Sequence, residues 1–153
     1  MKKICLISSS GGHFEQLLML KKLSEKHELY IVTEKTKYTS DDKTEIKTYY
    51  TNQVNRFEKM FVFKMIYNLI QSSYIFIKEK PDIIISTGAL SVIPTFLIGK
   101  IFRKKLIFIE SFAKTNTPTL TGKLIYQFSD VFIVQWESMK TVYPKAIYLG
   151  SIY

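Results

Sequence analysis

Short apolar runs alternate with amphipathic stretches along most of this chain. Seven runs rich in branched and aromatic residues, bounded by turn-forming residues, predict β-strands. They span residues 2–9, 27–33, 44–50, 81–86, 104–111, 130–135 and 145–150. Stretches with apolar residues three and four positions apart predict helices. These cover residues 13–26, 56–80, 90–102, 119–128 and 137–143, and a polar turn is predicted at 34–43.

Several of the predicted strands are continuous apolar runs, such as "IIIS", "LIFI" and "VFIV". Runs of this kind are typical of sheets that are buried on both faces, and strands that alternate with helices form parallel sheets. The pattern therefore predicts an α/β fold, a Rossmann-like parallel sheet with helices on both faces. The length of 153 residues predicts a single domain over 1–153.

Three turns rich in small and polar residues directly follow predicted strands. They read "SSSGGH" at 8–13, "STGALS" at 86–91 and "ESFAKTNTPTLTG" at 110–122. In open parallel sheets, ligands bind in a crevice at the carboxyl ends of the strands. We therefore expect the three turns to line one ligand site.

The first of these turns combines two glycines with a histidine at a predicted helix start. Gly11 and Gly12 allow a ligand to approach the backbone, and the amide groups at a helix start favour negative charge. His13 is a candidate general base or phosphate contact. The alternative is a tight turn with Ser10 near the N-cap and a structural role for His13. Neither the dinucleotide fingerprint nor the P-loop ending is present.

The other two turns supply candidate contacts on the same crevice. Thr87 and Gly88 would form a second backbone lip, although Gly88 could equally be a simple turn residue. Glu110 and Ser111 end the next predicted strand. Three roles are open for the Glu110 carboxylate: it could orient a sugar hydroxyl, assist His13 in catalysis, or be a hydrogen-bonded structural acid.

The formal net charge of +9 indicates an anionic partner such as a membrane surface, a phosphorylated substrate or a nucleic acid. The sequence carries no helix-turn-helix, RNA-recognition or zinc-finger pattern, so nucleic acid is disfavoured. The single cysteine and the short N-terminal apolar run predict a protein of the reducing cytoplasm. The densest basic cluster, in "GKIFRKK", consists of Lys100, Arg103, Lys104 and Lys105.

The predicted helix 56–80 is apolar over far more of its surface than a helix on one face of a sheet needs. Either other helices cover the surplus, or it faces lipid or a partner subunit, with basic residues meeting anionic headgroups. In addition to the basic cluster, the residues assigned to this membrane or partner surface are Arg56, Phe61, Phe63 and Lys64.

Three segments carry a resemblance to a known family: "SSSGGHFEQLL", "KPDIIISTGALSVIP" and the long block from "LIFIESF" to "KAIYLG". They resemble bacterial polysaccharide-biosynthesis subunits related to the membrane-anchoring subunit of the eukaryotic dolichol-linked N-acetylglucosaminyltransferase. The "GGH" turn is also similar to that of the peptidoglycan N-acetylglucosaminyltransferase that makes lipid II. The resemblance implies the N-terminal, acceptor-side half of a split GT-B glycosyltransferase. A separate chain would bind most of the UDP-sugar donor.

The resemblance further implies an acceptor that is a polyprenyl-diphosphate-linked sugar, extended during capsule or exopolysaccharide synthesis. It implies inverting transfer without a metal ion or other cofactor, and little activity for this chain alone. His13 would act with Glu110 in catalysis, while Ser10, Gly11, Gly12, Thr87, Gly88 and Ser111 would bind substrate. Since this chain starts almost at its first strand, membrane attachment would be peripheral, on the inner face of the plasma membrane.

Two further hypotheses remain open. The chain could be a non-catalytic scaffold that recruits and activates its partner at the membrane. It could also be a stand-alone nucleotide-binding Rossmann protein, for which Glu34 is the only near candidate for a ribose contact.

Overall fold

The fold, in a computed structural model that describes residues 1–36 and 45–153, is built on one parallel sheet. Every neighbouring pair of its seven described strands is parallel, in the order β3-β2-β1-β4-β5-β6-β7. The strands are β1 (Lys3–Ser8), β2 (Glu28–Glu34), β3 (Thr48–Thr51), β4 (Ile83–Gly88), β5 (Lys105–Ile109), β6 (Val131–Val134) and β7 (Ile147–Tyr148). This confirms the predicted α/β Rossmann-like fold. The strand order reverses between β1 and β4, where such sheets form their ligand crevice.

The helices that follow the strands lie close to their predicted positions. They are α1 (Gly12–Leu18), α2 (Phe61–Glu79), α3 (Ile93–Ile101) and α4 (Leu120–Tyr126), with 3₁₀ helices at Met19–Glu25, Leu90–Val92 and Glu137–Thr141. None of the helices in the described part of the chain is long and apolar enough to cross a membrane. The predicted polar turn 34–43 lies partly outside the described residues, and the first residue of the predicted strand 44–50 lies wholly outside them.

All five predicted helices are shorter than expected; the one predicted over 56–80, for example, begins only at Phe61. For two of them a local reason is identifiable. The helix predicted over 13–26 changes to 3₁₀ geometry after Leu18, and within that segment the Ser24 hydroxyl donates to the Lys21 carbonyl at 2.7 Å. Serine side chains compete for helical carbonyls in this way. The helix predicted over 90–102 becomes α-helical only at Ile93, because Pro94 is favoured in a first helical turn, where its missing N–H costs nothing.

The two faces of the sheet bury separate apolar clusters. On one face, α1 contributes Phe14 and Leu17 to a cluster with residues of the central strands. On the other face, α2, α3 and α4 pack over side chains such as Tyr30 and Phe108. Burying apolar surface on both faces stabilises the layers by about 25 cal/mol per Å². The strand ends, where function is expected, therefore sit on a rigid support.

Helix α2 is fixed to the amino edge of the sheet through Glu79. Its carboxylate accepts hydrogen bonds from Lys3 at 2.7 Å, from Lys47 at 2.6 Å and from the Tyr49 hydroxyl. Burial alone would raise the pKa of Glu79, but these three donors outweigh it and lower the pKa to about 2. The last turn of α2 is thereby held against β1 and the start of β3.

Candidate functional site

The crevice forms where the turns after β1 and β4 meet. The backbone N–H of Ser9 donates to the Gly88 carbonyl at 2.8 Å, which joins the two turns directly. Gly11 has a φ of +75°, and both Gly11 and Gly12 are exposed with open space where a side chain would begin. The predicted convergence of these two turns is therefore present, and their glycines leave the backbone open to a ligand.

His13 is held against β4 by two reciprocal hydrogen bonds. Its Nδ1 lies 2.6 Å from the Thr87 carbonyl oxygen, and the Thr87 hydroxyl donates to the His13 carbonyl at 2.7 Å. A carbonyl oxygen only accepts, so Nδ1 carries the hydrogen in a neutral ring and Nε2 is left as the acceptor. The arrangement orients the imidazole, which is half-buried, with Nε2 available to accept a proton.

Gly88 forms the surface on which that imidazole lies. A Cβ at this position would come within 2.9 Å of His13 Cε1 and 3.0 Å of Nδ1. Its φ of +110° also belongs to the region that side chains disfavour. The position needs glycine for both reasons, and the role of Gly88 in ligand binding stays a prediction.

The start of α1 does not have the side-chain cap that the structural alternative for this turn assigned to Ser10. Gly11 is the N-cap residue, and no side chain caps the helix. The capping role suggested for Ser10 is therefore wrong; Ser10 lies one residue earlier, and its carbonyl accepts a hydrogen bond from the Ser9 hydroxyl at 3.5 Å. Its side chain is half-buried beside the crevice turn.

The side chain of Glu110 faces the interior, being only 1% exposed. Its carboxyl oxygens accept hydrogen bonds from the Ser111 amide at 2.9 Å, the Thr119 hydroxyl at 2.9 Å and the Tyr143 hydroxyl at 2.8 Å. Burial, followed by this bond to Glu110, raises the pKa of Tyr143, so the tyrosine stays a donor. Of the three roles considered for Glu110, these contacts favour the structural acid.

Ser111 and Thr119 shape the loop after β5. The Ser111 hydroxyl accepts from the Ala113 amide at 3.3 Å, and the serine is buried. The Thr119 hydroxyl accepts from the Gly122 amide at 2.8 Å and so caps α4. A Cβ on Gly122 would lie 2.2 Å from Glu110 Oε2, so the acid, the cap and the glycine form one packed unit. Ser111 thus borders the crevice through its loop rather than through a free hydroxyl.

Two glutamines that the sequence did not single out connect α1 to this loop. The Gln135 amide donates to the Glu110 carbonyl at 2.9 Å and to Gln16 Oε1 at 3.2 Å, and its oxygen accepts from the Ile152 amide at 3.0 Å. Both glutamines are at least 95% buried. The only sequence signal was a polar residue directly after the apolar run "VFIV". The pair ties α1, β5, β6 and the C-terminal segment together at the crevice edge.

The candidate ribose contact Glu34 lies elsewhere. It is 4% exposed at the end of β2, and its carboxylate accepts from the Val54 amide at 3.2 Å. Neither its burial nor this contact favours the dinucleotide-binding hypothesis.

The surplus apolar surface of α2 is exposed. The alternative that other helices cover it is wrong for the described part of the chain. Residues of α2 that are more than half exposed are Val62, Phe63, Ile66, Tyr67, Ile70, Tyr74 and Ile77. The spacing of Phe63, Ile66, Ile70, Tyr74 and Ile77 by three and four positions makes a continuous stripe, which we call the α2 stripe. Contiguous apolar surface of this extent marks a membrane or protein contact.

The predicted basic and aromatic surface residues fall at opposite ends of α2. Near its start, Arg56 stacks on the Phe57 ring at 4.7 Å and Lys64 pairs with Glu58, while Phe61 is half-buried. The basic cluster 100–105 instead lies at the amino edge of the sheet, where Lys105 begins β5. These residues therefore form two separate regions joined by the α2 stripe.

Comparison with known proteins identifies related sequences and folds. The family described as "Oligosaccharide biosynthesis protein Alg14 like" matches residues 4–152. The "UDP-N-acetylglucosamine transferase subunit ALG14" of Mus musculus is 27% identical over 179 residues, covering 98% of this chain and 82% of the relative. The protein of the same name from Candida albicans is 33% identical over 93 residues, which cover 57% of this chain and 42% of that relative.

Among solved structures, the crystal structure of Acinetobacter baumannii MurG superposes with a TM-score of 0.81 at 14% identity. The match covers 99% of this chain and 46% of that chain, so this chain spans about half the length of MurG. At this identity the likeness concerns the fold alone, and it agrees with the predicted N-terminal half of a GT-B architecture.

Proposed function

The chain belongs to the family of Alg14-like oligosaccharide biosynthesis proteins, and from this membership we propose that it is the acceptor-side subunit of a two-chain glycosyltransferase. Relatives at 27–33% identity are named as subunits of UDP-N-acetylglucosamine transferases. The observation that carries the proposal is the pair of hydrogen bonds between His13 and Thr87, which we call the His13 clamp. It holds the imidazole over Gly88, at the point where the strand order of the sheet reverses. It presents an oriented imidazole at an open backbone turn.

The chemistry follows from that geometry. An acceptor hydroxyl placed at Nε2 of His13 loses its proton to that nitrogen as its oxygen attacks the anomeric carbon of the donor. The bond from that carbon to the diphosphate oxygen breaks, and UDP leaves with the electron pair, so the anomeric configuration inverts. Gly11 and Gly12 leave room for a diphosphate beside their amides. These steps use a UDP-sugar as substrate and call on no metal ion or other cofactor.

A partner subunit is needed because this chain supplies one wall of the crevice. A chain that spans about half of MurG contains one of the two halves between which a GT-B enzyme binds donor and acceptor. The partner would provide the donor-binding half. We expect the isolated chain to have little transferase activity and the two-chain complex to be active, with a polyprenyl-diphosphate-linked sugar as acceptor. Capsule or exopolysaccharide synthesis remains the predicted setting.

The α2 stripe is the proposed membrane contact. Amphipathic helices that lie in a bilayer interface present an apolar face of this kind, with basic residues beside it that attract anionic lipids. Attachment would be peripheral and on the cytoplasmic side. The exposed stripe also favours the second candidate, a non-catalytic scaffold that recruits its partner to the membrane.

The test replaces His13 with asparagine in the two-chain complex. The asparagine amide can still donate to the Thr87 carbonyl but has no counterpart of Nε2, so the clamp persists and the base is lost. We expect the rate of sugar transfer to fall about 10²–10⁴-fold with the melting temperature unchanged. The matched control is His27→Asn at the opposite edge of the sheet, where the ring accepts only from the Lys2 amide at 3.4 Å.

If the His13→Asn complex transferred sugar at the full rate and was still recruited to membranes, the catalytic role of His13 would be refuted. The non-catalytic scaffold would then be the better description of this chain. Robust transfer by this chain without a partner would refute the two-chain proposal.

A further inference from the structure

Two concave surfaces adjoin at the amino edge of the sheet, opposite to the crevice. The first, which we call the basic cleft, has a volume of about 280 Å³ and is lined by Lys100, Arg103, Lys104, Lys105 and Asp130. The second, the apolar groove, has a volume of about 320 Å³ and is lined by Phe76, Ile77, Lys80, Phe102 and Lys104. Lys104 lines both surfaces, so the charged cleft and the apolar groove meet at this residue.

The positive charge of the basic cleft is only partly neutralised by its two acidic neighbours, Asp82 and Asp130. The Asp130 carboxylate accepts from the Leu106 amide at 2.7 Å, and that of Asp82, which lies close to Lys104, accepts from the Lys3 amide at 2.9 Å. Both acids are therefore held by backbone groups. No described acid forms an ion pair with the four cations, so a surplus of positive charge faces the cleft.

Two of the lining cations occupy unusual backbone positions. Lys80 and Arg103 follow α2 and α3 and have φ values of 49° and 53°. Glycine or asparagine usually occupies such left-handed positions at helix ends, because a Cβ is disfavoured there. The sequence thus places a basic side chain at both positions where glycine would relieve the backbone.

The apolar groove is open to a ligand of matching chemistry. The Phe76 and Phe102 rings lie 5.1 Å apart, and Ile77 and Phe102 are 64% and 56% exposed. A soluble phosphate or a nucleic acid would fill the basic cleft and leave this apolar surface in water. A molecule with an anionic head and a hydrocarbon chain satisfies both parts.

We propose that the basic cleft and the apolar groove together bind one anionic phospholipid of the leaflet. The phosphate lies among Arg103, Lys104 and Lys105, and an acyl chain lies along Phe102 and Ile77. This inference rests on the membrane association proposed above. The site is separate from the crevice, because the crevice lies at the carboxyl ends of the strands and Lys105 begins a strand.

A short-chain phosphatidylglycerol, kept below its micelle concentration, tests for a discrete site. Calorimetric titration of the purified chain should show saturable binding of one lipid per chain. Two controls should bind at least tenfold more weakly: glycerol phosphate, which has the head group alone, and short-chain phosphatidylcholine, which has no net charge. A lost charge contact weakens binding about fivefold, and the acyl chains add further affinity. Equal binding of glycerol phosphate would assign the cleft to a soluble phosphate and overturn the lipid site.

Variants of the lining residues complete the test. Arg103→Gly and Lys80→Gly remove charge where the backbone favours glycine, so we expect both to fold with an equal or higher melting temperature. Each should weaken binding of the short-chain lipid about fivefold. Phe102→Ser should weaken it without any change of charge. The control, Lys21→Gln with Lys22→Gln, removes two exposed charges near α1 and should bind as the parent does. Parent-like binding by Arg103→Gly and Phe102→Ser would refute the site.

A variant of the α2 stripe distinguishes a failure of the lipid site from a failure of the membrane contact on which this inference rests. Ile70→Gln should weaken binding to phosphatidylcholine vesicles and leave binding of the short-chain phosphatidylglycerol unchanged. If the stripe variant binds vesicles normally while Arg103→Gly loses the short-chain lipid, the membrane contact fails and the lipid site stands. If the converse is observed, the lipid site fails and the membrane contact stands.

Discussion

Replacing Gly122 with alanine should destabilise the protein, although helix propensity alone predicts the reverse. Gly122 lies in the first turn of α4, where alanine normally gains about 1 kcal/mol over glycine. The added Cβ, however, would lie 2.2 Å from Glu110 Oε2, 2.6 Å from the Tyr143 hydroxyl and 2.8 Å from the Thr119 hydroxyl. Glu110 and Tyr143 are buried and Thr119 is half-buried, and none of the three polar atoms can move away without losing a hydrogen bond.

The magnitude follows from the bonds at risk. Moving Glu110 Oε2 to an ordinary contact distance breaks its bond from Tyr143 and that from the Thr119 amide. Hydrogen bonds to a charged group contribute about 1.5–3 kcal/mol each. After the gain in helix propensity is subtracted, we expect a net loss of about 2–5 kcal/mol in the free energy of unfolding. For a chain of this size the melting temperature should fall by roughly 4–20 °C.

Thermal unfolding followed by circular dichroism measures the effect, with Gly12→Ala as the matched control. Gly12 also begins a helix, but its Cβ would meet nothing within 4 Å. That variant should therefore unfold at the parental temperature or slightly above it. If Gly122→Ala were as stable as Gly12→Ala, the packing of Glu110 against α4 would be incorrect.

Three further predictions test other parts of the structure. The pKa of Glu79 in the folded protein is about 2, below its ordinary value of 4.5, so the ionised carboxylate stabilises the fold at pH values above 4.5. This contribution to the free energy of unfolding is lost as the pH falls from about 4.5 to 2. Lys47→Gln removes one of the donors to Glu79, so it should flatten that part of the stability profile measured by urea unfolding. Gly88→Ala should displace the His13 ring and cost about 1–3 kcal/mol, seen as a lower urea midpoint and slower transfer by the complex; unchanged values would contradict the close packing. Ile70→Gln should reduce vesicle cosedimentation without lowering the melting temperature, and undiminished cosedimentation would remove the α2 stripe from the membrane contact.

The sequence predicted the sheet well because most of its strands are local apolar runs, with β3 (Thr48–Thr51) as an exception. "IIIS" and "LIFI" are buried on both faces wherever they pair, so their pattern reports the environment directly. The crevice was predicted at the strand ends for the same reason. The convergence of "SSSGGH" and "STGALS" follows from the pairing of β1 with β4, which the structure shows and the alternation of elements did not specify.

The roles of single side chains depended on partners far along the chain. Glu110 ends a strand in a manner typical of a site residue, and only Tyr143, 33 residues later, shows that its carboxylate points inward. Gln16 and Gln135 are 119 residues apart, and neither belongs to a local motif. Ser10 does not cap α1, because Gly11 is the N-cap residue and no side chain caps the helix. Patterns along the chain carry periodicity, whereas hydrogen-bond partners depend on the tertiary fold.

The position of α2 relative to the sheet has a consequence for kinetics. The Asn68 side chain exchanges hydrogen bonds with the backbone of Asn52, just beyond the carboxyl end of β3. Residues 61–67 of α2 therefore project about 10 Å past the edge that carries the crevice. In the proposed complex, with the stripe lying on a bilayer, a lipid-linked acceptor would reach the crevice by lateral diffusion in two dimensions. The transfer rate should then follow the mole fraction of acceptor in the membrane, and diluting it with inert lipid should slow the reaction even at constant bulk concentration.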